Sequence, residues 1–462
     1  MSTIQRLNTC NWIVLPIILS ILTCSRTEVE RLSDDQLNIL LVIADDLGKN
    51  VLSAYNADAP RTKYLDHWAK GGIQMHNFYV TSPVCSPSRA SILTGWTATK
   101  TRVHRVLRPS NAGLDHELSS ATPTLAEYLK NLGYRTSLIG KWHLGYRPEN
   151  HPLERGFDEF RGFLPGHIDY ISHLSPEGKF GLQWNKDKWD LPKGAHLTEI
   201  LTSEAINQID EWANDKPNFM VLSYANAHTP YLLQNDSAVF PGKANRSDNN
   251  IEDYQALVAL LDQQVGRIQK ALEQKGGNTI IIFLSDNGPP SLSLYTSDRA
   301  RAKGSLFEPG VNVPAFIYWP GRVNATQDYQ LRSALDLFPT VLSIASKSAE
   351  KDIDIGERTG QNILETLHGS MREVLVQTHR GIGMVRVDSL KAIFIPNDTS
   401  KITLRHLEAR GLYLQRFPVK EIDGYIPLVF DLHNDPNELV NLASADTLLT
   451  QRLWSVFQSG TK

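Results

Sequence analysis

The segment from Cys85 to Gly95 places a sulfur atom at the start of a predicted short helix. Its sequence is Cys-Ser-Pro-Ser-Arg-Ala-Ser-Ile-Leu-Thr-Gly. Proline is favoured in the first helical turn and glycine just past the last one, so Cys85 should lie at or beside the N-cap. The helix N-terminus attracts anions, and Arg89, one turn later on the same face, adds a fixed positive charge. The segment therefore predicts an anion site at Cys85, although a structural cysteine in a capped helix fits the same residues.

Two short acidic groups follow apolar runs of the chain, one at Asp45-Asp46 and the other at Asp286-Asn287. Carboxylate and amide oxygens are hard donors, which favour calcium or magnesium over zinc. A solvated acidic turn is the alternative interpretation of either group alone. The two groups together predict a site for a hard divalent cation.

Two histidines and two lysines stand in short motifs elsewhere in the chain. Lys141 and His143 are two residues apart, so both side chains would point the same way in an extended segment. His228 follows another apolar run, and Lys303 lies between an alanine and a glycine. Lysine binds oxyanions as a point charge and histidine transfers protons near neutral pH, although a lone histidine is more often structural.

The pattern Cys-x-Pro-Ser-Arg-x-x-x-x-Thr-Gly that begins at Cys85 resembles the signature of the type I sulfatases. In that family the cysteine is oxidised after translation to formylglycine, an aldehyde that hydrates to a geminal diol. The resemblance implies the same fate for Cys85, with a formylglycine-generating enzyme as the partner in maturation. One diol oxygen would attack sulfur and expel the alcohol, and loss of the second hydroxyl's proton would then release sulfate and restore the aldehyde. A serine would be left as a stable sulfate ester.

The resemblance also implies a calcium ion that binds a sulfate oxygen and draws charge from sulfur. The implied ligands are the two acidic groups and the oxidised cysteine, namely Asp45, Asp46, Cys85, Asp286 and Asn287.

The remaining motifs resemble the sulfate-binding and proton-transfer residues of the same family. Lys141 and Lys303 would bind sulfate oxygens, with Arg299 and Arg301 as rival cations near the second lysine. His143 would orient or deprotonate the diol, and His228 would protonate the leaving alcohol oxygen. Ser172 resembles a polar contact of some arylsulfatases.

Two segments combine cations with aromatic or imidazole side chains and suggest the substrate. Residues 100–108 contain His104 and Arg105 among other basic residues, and residues 179–193 interleave Trp184 and Trp189 with lysines. Aromatic faces stack on sugar rings and cations suit sulfate groups, so a sulfated oligosaccharide is our hypothesis. Ordinary solvated loops are the alternative.

Three other functions remain open from the sequence. A phosphomonoester or phosphonate monoester hydrolase could be built on the same superfamily scaffold, because phosphate and sulfate are both tetrahedral. A non-catalytic protein that binds sulfated glycans would result if Cys85 were never converted. A cysteine hydrolase would use Cys85 as a thiolate with His143 or His228, but it would leave the acidic groups without a purpose.

The elements that position these residues follow an α/β pattern. Apolar, β-rich runs end abruptly in polar residues and alternate with segments of helical spacing. The predicted strands of the large sheet cover residues 38–44, 135–139, 219–225 and 279–284. One predicted helix runs from Thr124 to Gly133, with Glu127 placed for a capping box, and an amphipathic helix covers residues 254–272. Further strands are predicted at 373–377 and 391–395, followed by a final helix at 448–457. Ligands bind at the carboxyl ends of strands in such sheets, so Asp45, Lys141, His228 and Asp286 should converge. We predict a large mixed sheet sandwiched by helices, with a smaller C-terminal α+β domain.

The length, the charge and the first residues of the 462-residue chain indicate its domain organisation and its location. Forty-seven basic and fifty acidic side chains give a net charge of −3, which argues against nucleic acid as a partner. Residues 1–25 resemble a signal peptide, and Cys24 after the apolar run resembles a bacterial lipoprotein site that would carry a lipid anchor. We therefore predict export to the periplasm or the medium without a transmembrane span. Residues 34–370 would form the catalytic domain and residues 371–462 the C-terminal domain.

Overall fold

The structure is a computed structural model that describes most of the chain from Leu37 onward. The described residues are 37–109, 116–189, 191, 194–212, 215–234, 236, 250–291, 301–349, 351, 353–367, 373–377, 382–397 and 420–460. The predicted signal peptide, Cys24, Arg299 and the predicted domain boundary at residue 370 lie outside these ranges. The division into two domains therefore stays a prediction.

A mixed sheet of ten strands organises the described residues, in the order β10-β2-β9-β8-β1-β7-β3-β4-β5-β6. Its central strands β8, β1, β7, β3 and β4 run parallel, and antiparallel pairs join β9 to β8 and β5 to β4. The strands are β1 Leu37–Ala44, β2 Ile73–Tyr79, β3 Arg135–Lys141, β4 Glu159–Phe163, β5 Leu182–Trp184, β6 Asp187–Lys188, β7 Asn218–Ser223, β8 Asn278–Ser285, β9 Ala315–Tyr318 and β10 Thr326–Ser333.

Helices cover both faces of this sheet, because each central strand is apolar on both sides. Ile39, Leu41 and Ile43 of β1 belong to one hydrophobic cluster, and the alternate residues Leu40 and Val42 belong to another. The α-helices in the described ranges are α1 Lys63–Gly71, α2 Cys85–Thr94, α3 Ala98–Thr101, α4 Leu125–Asn131, α5 Leu197–Glu211, α6 Ile251–Lys275, α7 Glu308–Val311, α8 Leu337–Ala349 and α9 Thr447–Gly460. Helices α2, α4 and α8 pack on the first cluster and α1, α5 and α6 on the second. The predicted sandwich is confirmed.

Strand register brings the predicted site residues to one edge of the sheet. Ile43 of β1 is paired with Ser223 of β7, which is paired in turn with Gly140 of β3. On the other side of β1, Ala44 is paired with Ser285 of β8. The polar residues that follow these strands therefore start from neighbouring positions, as the sequence predicted.

The predicted starts of two helices are also confirmed. Cys85 is the first residue of α2, and Gly95 ends that helix with φ of 68°. Thr124 and Glu127 form the predicted capping box of α4, since each side chain accepts a hydrogen bond from the other's backbone N–H. No helix within the described residues is long and apolar enough to span a membrane.

A smaller antiparallel sheet follows the large one in the chain. Its order is β11-β12-β13-β14, with β11 Glu373–Gln377, β12 Gly383–Val387, β13 Leu390–Pro396 and β14 Tyr425–Asp431. Met384 and Ile393 pack in the first hydrophobic cluster of the large sheet, whereas Phe394 and Trp454 lie in a separate cluster with α9. One hydrophobic cluster of the large sheet therefore includes residues of the small sheet.

A buried ion cluster also joins the two sheets. Lys391 of β13 is fully buried, and its Nζ lies 2.9 Å from Glu308 and 2.7 Å from Glu438. The backbone N–H of Glu308 donates to Glu438 at 2.8 Å. Because Glu308 begins α7, this cluster fixes the segment that follows Lys303.

Replacing Lys391 by methionine should destabilise the fold, because two buried carboxylates would lose the cation between them. Breaking a buried ion pair in this way costs about 3–5 kcal/mol. Lys347→Met is the matched control, since Lys347 pairs with Glu365 at an exposed position. Urea denaturation followed by tryptophan fluorescence would measure both variants. Equal shifts of the midpoint in the two variants would contradict this role for Lys391.

Candidate active site

Cys85 lies at the centre of the group of polar residues that the sheet brings together. The side chain is 2% exposed, and Sγ lies 3.8 Å from Oδ1 of Asp45 and 3.2 Å from Nζ of Lys303. Burial raises the pKa of the thiol to about 12, although Lys141 and Lys303 oppose the rise. An unmodified Cys85 is therefore a thiol at neutral pH, which removes the main requirement of the cysteine-hydrolase alternative.

The two acidic groups meet beside this sulfur atom. Asp45, Asp46, Asp286 and Asn287 are all buried. The backbone N–H of Asp46 donates to Oδ1 of Asp286 at 3.3 Å, and Nδ2 of Asn287 donates to Oδ1 of Asp46 at 2.7 Å. Burial favours a raised pKa for Asp46, but Lys303 and His228 outweigh it, and the pKa of this carboxyl is lowered. Asp46 is thus a carboxylate at neutral pH.

Each of the three carboxylates in this group has a cationic partner. Nζ of Lys141 lies 2.5 Å from Asp45, Nζ of Lys303 lies 2.5 Å from Asp46, and Nε of Arg89 lies 2.7 Å from Asp286. The two lysines were predicted to bind a substrate anion, and here each one neutralises a carboxylate. Three positive and three negative side chains therefore balance around Cys85.

His143 reaches the site from a turn, which corrects one expectation. The strand β3 ends at Lys141, and His143 has φ of 61°, so the segment is not extended through both residues. Nε2 lies 2.9 Å from the carbonyl oxygen of Leu107 and must donate to it, which leaves Nδ1 as an acceptor. Nδ1 is buried and has no hydrogen-bond partner among the described residues. Burial, with Lys141 nearby, holds the pKa of His143 well below its usual range.

His228 lies close to Asp46. Its Nδ1 lies 2.7 Å from the carbonyl oxygen of Thr229, so that nitrogen carries a proton. Its Nε2 lies 3.7 Å from Oδ2 of Asp46. Burial lowers the pKa of His228 to about 3, against the opposing effect of Asp46. In this arrangement the ring is neutral, with the lone pair of Nε2 facing the cluster.

The donor atoms of the cluster suit a hard cation. Ligand atoms from Asp45, Asp46, Cys85 and His228 lie within 4.8 Å of one another. Oδ1 of Asn287 is buried and has no hydrogen-bond partner among the described residues, so this amide oxygen can act as a further ligand. Oxygen atoms predominate in this set, as calcium and magnesium prefer. His228 was not among the predicted ligands.

The structure does not place every predicted residue in this cluster. Ser172 lies in a turn, where its N–H donates to Asp169 at 2.8 Å and its hydroxyl accepts from Leu174 at 3.4 Å. Arg105 is exposed and contacts His116. His104 is partly buried in the same segment, and burial, with His116 nearby, lowers its pKa.

The other cationic and aromatic residues that the sequence analysis named also make contacts away from Cys85. Arg301 binds Glu438 at 3.2 Å and stacks on Phe307, so its guanidinium is engaged away from Cys85. Trp189 is buried, whereas Trp184 is 45% exposed and stacks on Arg161 at 4.1 Å.

The sequence analysis did not single out Phe180, an aromatic residue that lies nearer the end of β4 than Trp184 does. Phe180 is exposed, and Nζ of Lys188 lies 5.0 Å from its ring centroid. Leu182, two residues after Phe180, is paired with Phe163, the last residue of β4. Phe180 and Lys188 therefore lie beside the edge of the sheet that carries the site.

The loop after β4 contributes two residues that the sequence analysis missed. The ring of His167 stacks on that of His228, with centroids 4.9 Å apart and an interplanar angle of 23°. Gly166 lies against His143, so closely that a side-chain carbon on this glycine would come within 2.6 Å of the imidazole. Neither residue falls in a periodic pattern, and the only available signal was a glycine-histidine pair just after a strand.

These features suit the binding of an anionic ester. A helix N-terminus and three cations lie beside the buried Cys85, and the imidazoles of His143 and His228 lie near the same lysines. The carboxylates and the amide oxygen provide a place for a divalent cation.

Comparison with known proteins identifies the family. A family model described as Sulfatase matches residues 37–347. Human N-acetylgalactosamine-6-sulfatase is 33% identical over 367 residues, which cover 74% of this chain and 68% of that protein. Arylsulfatase A of Bos taurus is 31% identical over 473 residues, which cover 91% of this chain and 86% of that protein. The crystal structure of Ps i-CgsB in complex with k-i-k-neocarrahexaose has a TM-score of 0.73 at 25% identity and covers 91% of this chain and 92% of that chain. The chain belongs to the sulfatase family and is a sulfuric ester hydrolase.

Proposed function

We propose that this protein hydrolyses a sulfate ester of a sulfated carbohydrate, with formylglycine at position 85 and a bound calcium ion. The observation that supports this proposal most strongly is the position of Cys85, at the first residue of α2 and in contact with both Asp45 and Lys303. A buried thiol with a raised pKa has no evident use as a nucleophile there. Its oxidation to an aldehyde, followed by addition of water to give a geminal diol, would give the same position a hydroxyl nucleophile.

Calcium fits the donor set of the site. Asp45, Asp46, Asp286 and the amide oxygen of Asn287 would hold it, together with the oxidised side chain at position 85. A bound calcium ion would supply positive charge to a sulfate oxygen and so make the sulfur atom more electrophilic. Because the side-chain charges already balance, a divalent ion would make the cluster net positive, which suits an anionic ester.

The lysines and Arg89 would orient the sulfo group. Nζ of Lys303 lies close enough to Cys85 to donate to a sulfo oxygen held there. Lys141, whose Nζ lies 2.5 Å from Asp45, would bind another sulfo oxygen. Arg89 is fixed by Asp286 and by the hydroxyl of Ser223 at 2.6 Å, so its charge is held under the site. Such preorganised cations stabilise the charge of a transferring oxyanion.

The two imidazoles would handle protons at opposite ends of the reaction. The acceptor Nδ1 of His143 would take a proton from the nucleophilic side chain. His228 would protonate the leaving alcohol through Nε2 once the ring is protonated. An anionic ester beside His228 favours that protonated form, because a nearby negative charge raises the pKa of a histidine.

Sulfated carbohydrate is the substrate class that the comparisons and the surface favour. Human N-acetylgalactosamine-6-sulfatase carries a sulfated amino sugar in its name, and Ps i-CgsB was solved in complex with k-i-k-neocarrahexaose. The exposed ring of Phe180, with Lys188 over it, offers this chain a face for a sugar and a charge for an anionic group. His104, Arg105 and Ser172 remain candidates for contacts further from the reacting sulfur.

Maturation and location are part of the same proposal. Conversion of Cys85 needs a formylglycine-generating enzyme as a partner. The resemblance of residues 1–25 to a signal peptide supports export to the periplasm or the medium, with Cys24 as the candidate lipid anchor.

A panel of matched substrates tests this proposal. Turnover of 4-nitrophenyl sulfate, 4-nitrophenyl phosphate, N-acetylgalactosamine 6-sulfate and a sulfated galactan oligosaccharide would be measured with and without a calcium chelator. We expect hydrolysis of the sulfates to exceed that of the phosphate, and to fall on chelation and return with calcium. Faster hydrolysis of the phosphate would favour the phosphomonoester alternative. Turnover of the aryl sulfate without either sugar would contradict the carbohydrate assignment.

A further inference from the structure

The loop between β4 and Tyr170 contacts both catalytic imidazoles. Its Gly166 lies against the ring of His143, and the backbone N–H of His143 donates to the carbonyl oxygen of Leu164 at 3.2 Å. The next residue, His167, stacks on His228. One short segment therefore forms a wall against which both rings rest.

Within the part of the chain that the structure describes, the ring of His228 has few other restraints on its orientation. A short hydrogen bond joins Nδ1 to the carbonyl oxygen of Thr229, the adjacent residue. The distance of 3.7 Å from Nε2 to Asp46 is too long for a hydrogen bond. A rotation of the ring about its Cβ–Cγ bond would move Nε2 away from the cluster, and the flat contact with His167 opposes this rotation.

The same loop also fixes the backbone of His228. The hydroxyl of Tyr170 lies 2.8 Å from the carbonyl oxygen of Ala225 and 3.1 Å from that of His228. With the main chain held by Tyr170, the remaining freedom of His228 lies in its side chain. His167 contacts the face of that side chain.

We propose that His167 is a positioning residue for His228, and that its ring holds Nε2 in line with the leaving oxygen of the substrate. This inference rests on the proposed role of His228 as proton donor. His167 itself is largely buried, and burial lowers its pKa to about 3, with His228 and Lys141 adding to the effect. A neutral ring can lie against a protonated His228 without charge repulsion, and its π face attracts that cation.

A series of substituted phenyl sulfates separates this role from a general structural one. Phenyl sulfate has a poor leaving group that needs a proton, whereas 4-nitrophenyl sulfate has a good one that needs little help. We expect His167→Gln to lower kcat on phenyl sulfate about ten-fold more than on 4-nitrophenyl sulfate, because a misplaced donor forfeits part of the 10²–10⁴-fold that a general acid contributes. His167→Phe should restore most of that difference, since it keeps a flat ring.

The variant His228→Gln separates the test of His228 as proton donor from the test of His167 as positioning residue. It should show a larger selective loss on phenyl sulfate than His167→Gln. Equal losses on both substrates in His228→Gln would overturn the role of His228 as proton donor. A selective loss in His228→Gln with no selective loss in His167→Gln would overturn the inference on His167 alone. Failure of His167→Phe to recover activity relative to His167→Gln would overturn the stacking mechanism.

Discussion

Replacing Cys85 by serine should abolish steady-state hydrolysis of 4-nitrophenyl sulfate, with a loss of about 10³-fold or more. A serine hydroxyl could accept at most one sulfo group, because it lacks the second hydroxyl whose deprotonation would release sulfate. The resulting sulfate ester would persist, since water must then attack a crowded and anionic sulfur atom. Mass analysis of the peptide that contains position 85 should show the added sulfo group in the variant after incubation with substrate.

Cys85→Ala is the matched control for this experiment. It removes the nucleophile but keeps a small side chain at a buried helix position, so the fold should be retained. We expect the alanine variant to lose turnover equally and to show no sulfo adduct. Turnover near the wild-type rate in either variant would show that position 85 is not the nucleophile.

Replacing Lys303 by methionine should lower kcat/KM by about 10²–10³-fold, the range seen when one preorganised donor to a developing anion is removed. Lys303 lies 2.5 Å from Asp46 and 3.2 Å from Cys85, so its loss would give the cluster an excess of negative charge against an anionic ester. It is a better target than Lys141, which is fully enclosed beside Asp45. Steady-state kinetics on 4-nitrophenyl sulfate would measure the effect.

Lys303→Arg and Lys70→Met complete that test. Arginine keeps the positive charge but changes its geometry, so we expect an intermediate loss. Lys70 forms a surface pair with Asp66 at 2.9 Å, and its replacement should leave kcat/KM within about two-fold of wild type, as surface pairs contribute little. A loss in Lys303→Met no larger than in Lys70→Met would exclude Lys303 from sulfate binding.

Much of the site was predictable because it lies at strand ends and at a helix start. The apolar runs before Asp45 and Asp286 mark adjacent parallel strands, and a parallel sheet brings their carboxyl ends to one edge. The Pro and Gly that bound α2 placed Cys85 at its first residue. These signals are local in the sequence, so they can be interpreted without knowledge of tertiary contacts.

The contacts between side chains were less predictable. The pairing of Lys141 with Asp45 and of Lys303 with Asp46 depends on distances between segments far apart in the chain. His143 leaves the strand direction through a positive φ, which the alternation rule for strands does not capture. His167 lies in a loop, where sequence periodicity carries no information about which ring it will face.

The C-terminal region shows a similar division. Of the four strands that the structure describes there, β11 and β13 were predicted near their observed bounds, as was the final helix, whereas β12 and β14 were not singled out. The burial of Lys391 between Glu308 and Glu438 was not predicted, because charged residues in isolation predict exposure. The burial becomes intelligible only when three charges from distant segments are seen to meet.

The most direct test of the central claim compares the chemical state of position 85 with turnover across preparations that differ in maturation. Mass analysis of the tryptic peptide would give the fraction in which the thiol side chain has become an aldehyde, with loss of H₂S and gain of one oxygen atom. Hydrolysis of 4-nitrophenyl sulfate would be measured on the same samples. We predict that activity rises in proportion to the aldehyde fraction and vanishes with it. Full activity in a preparation that contains only the thiol would contradict the claim.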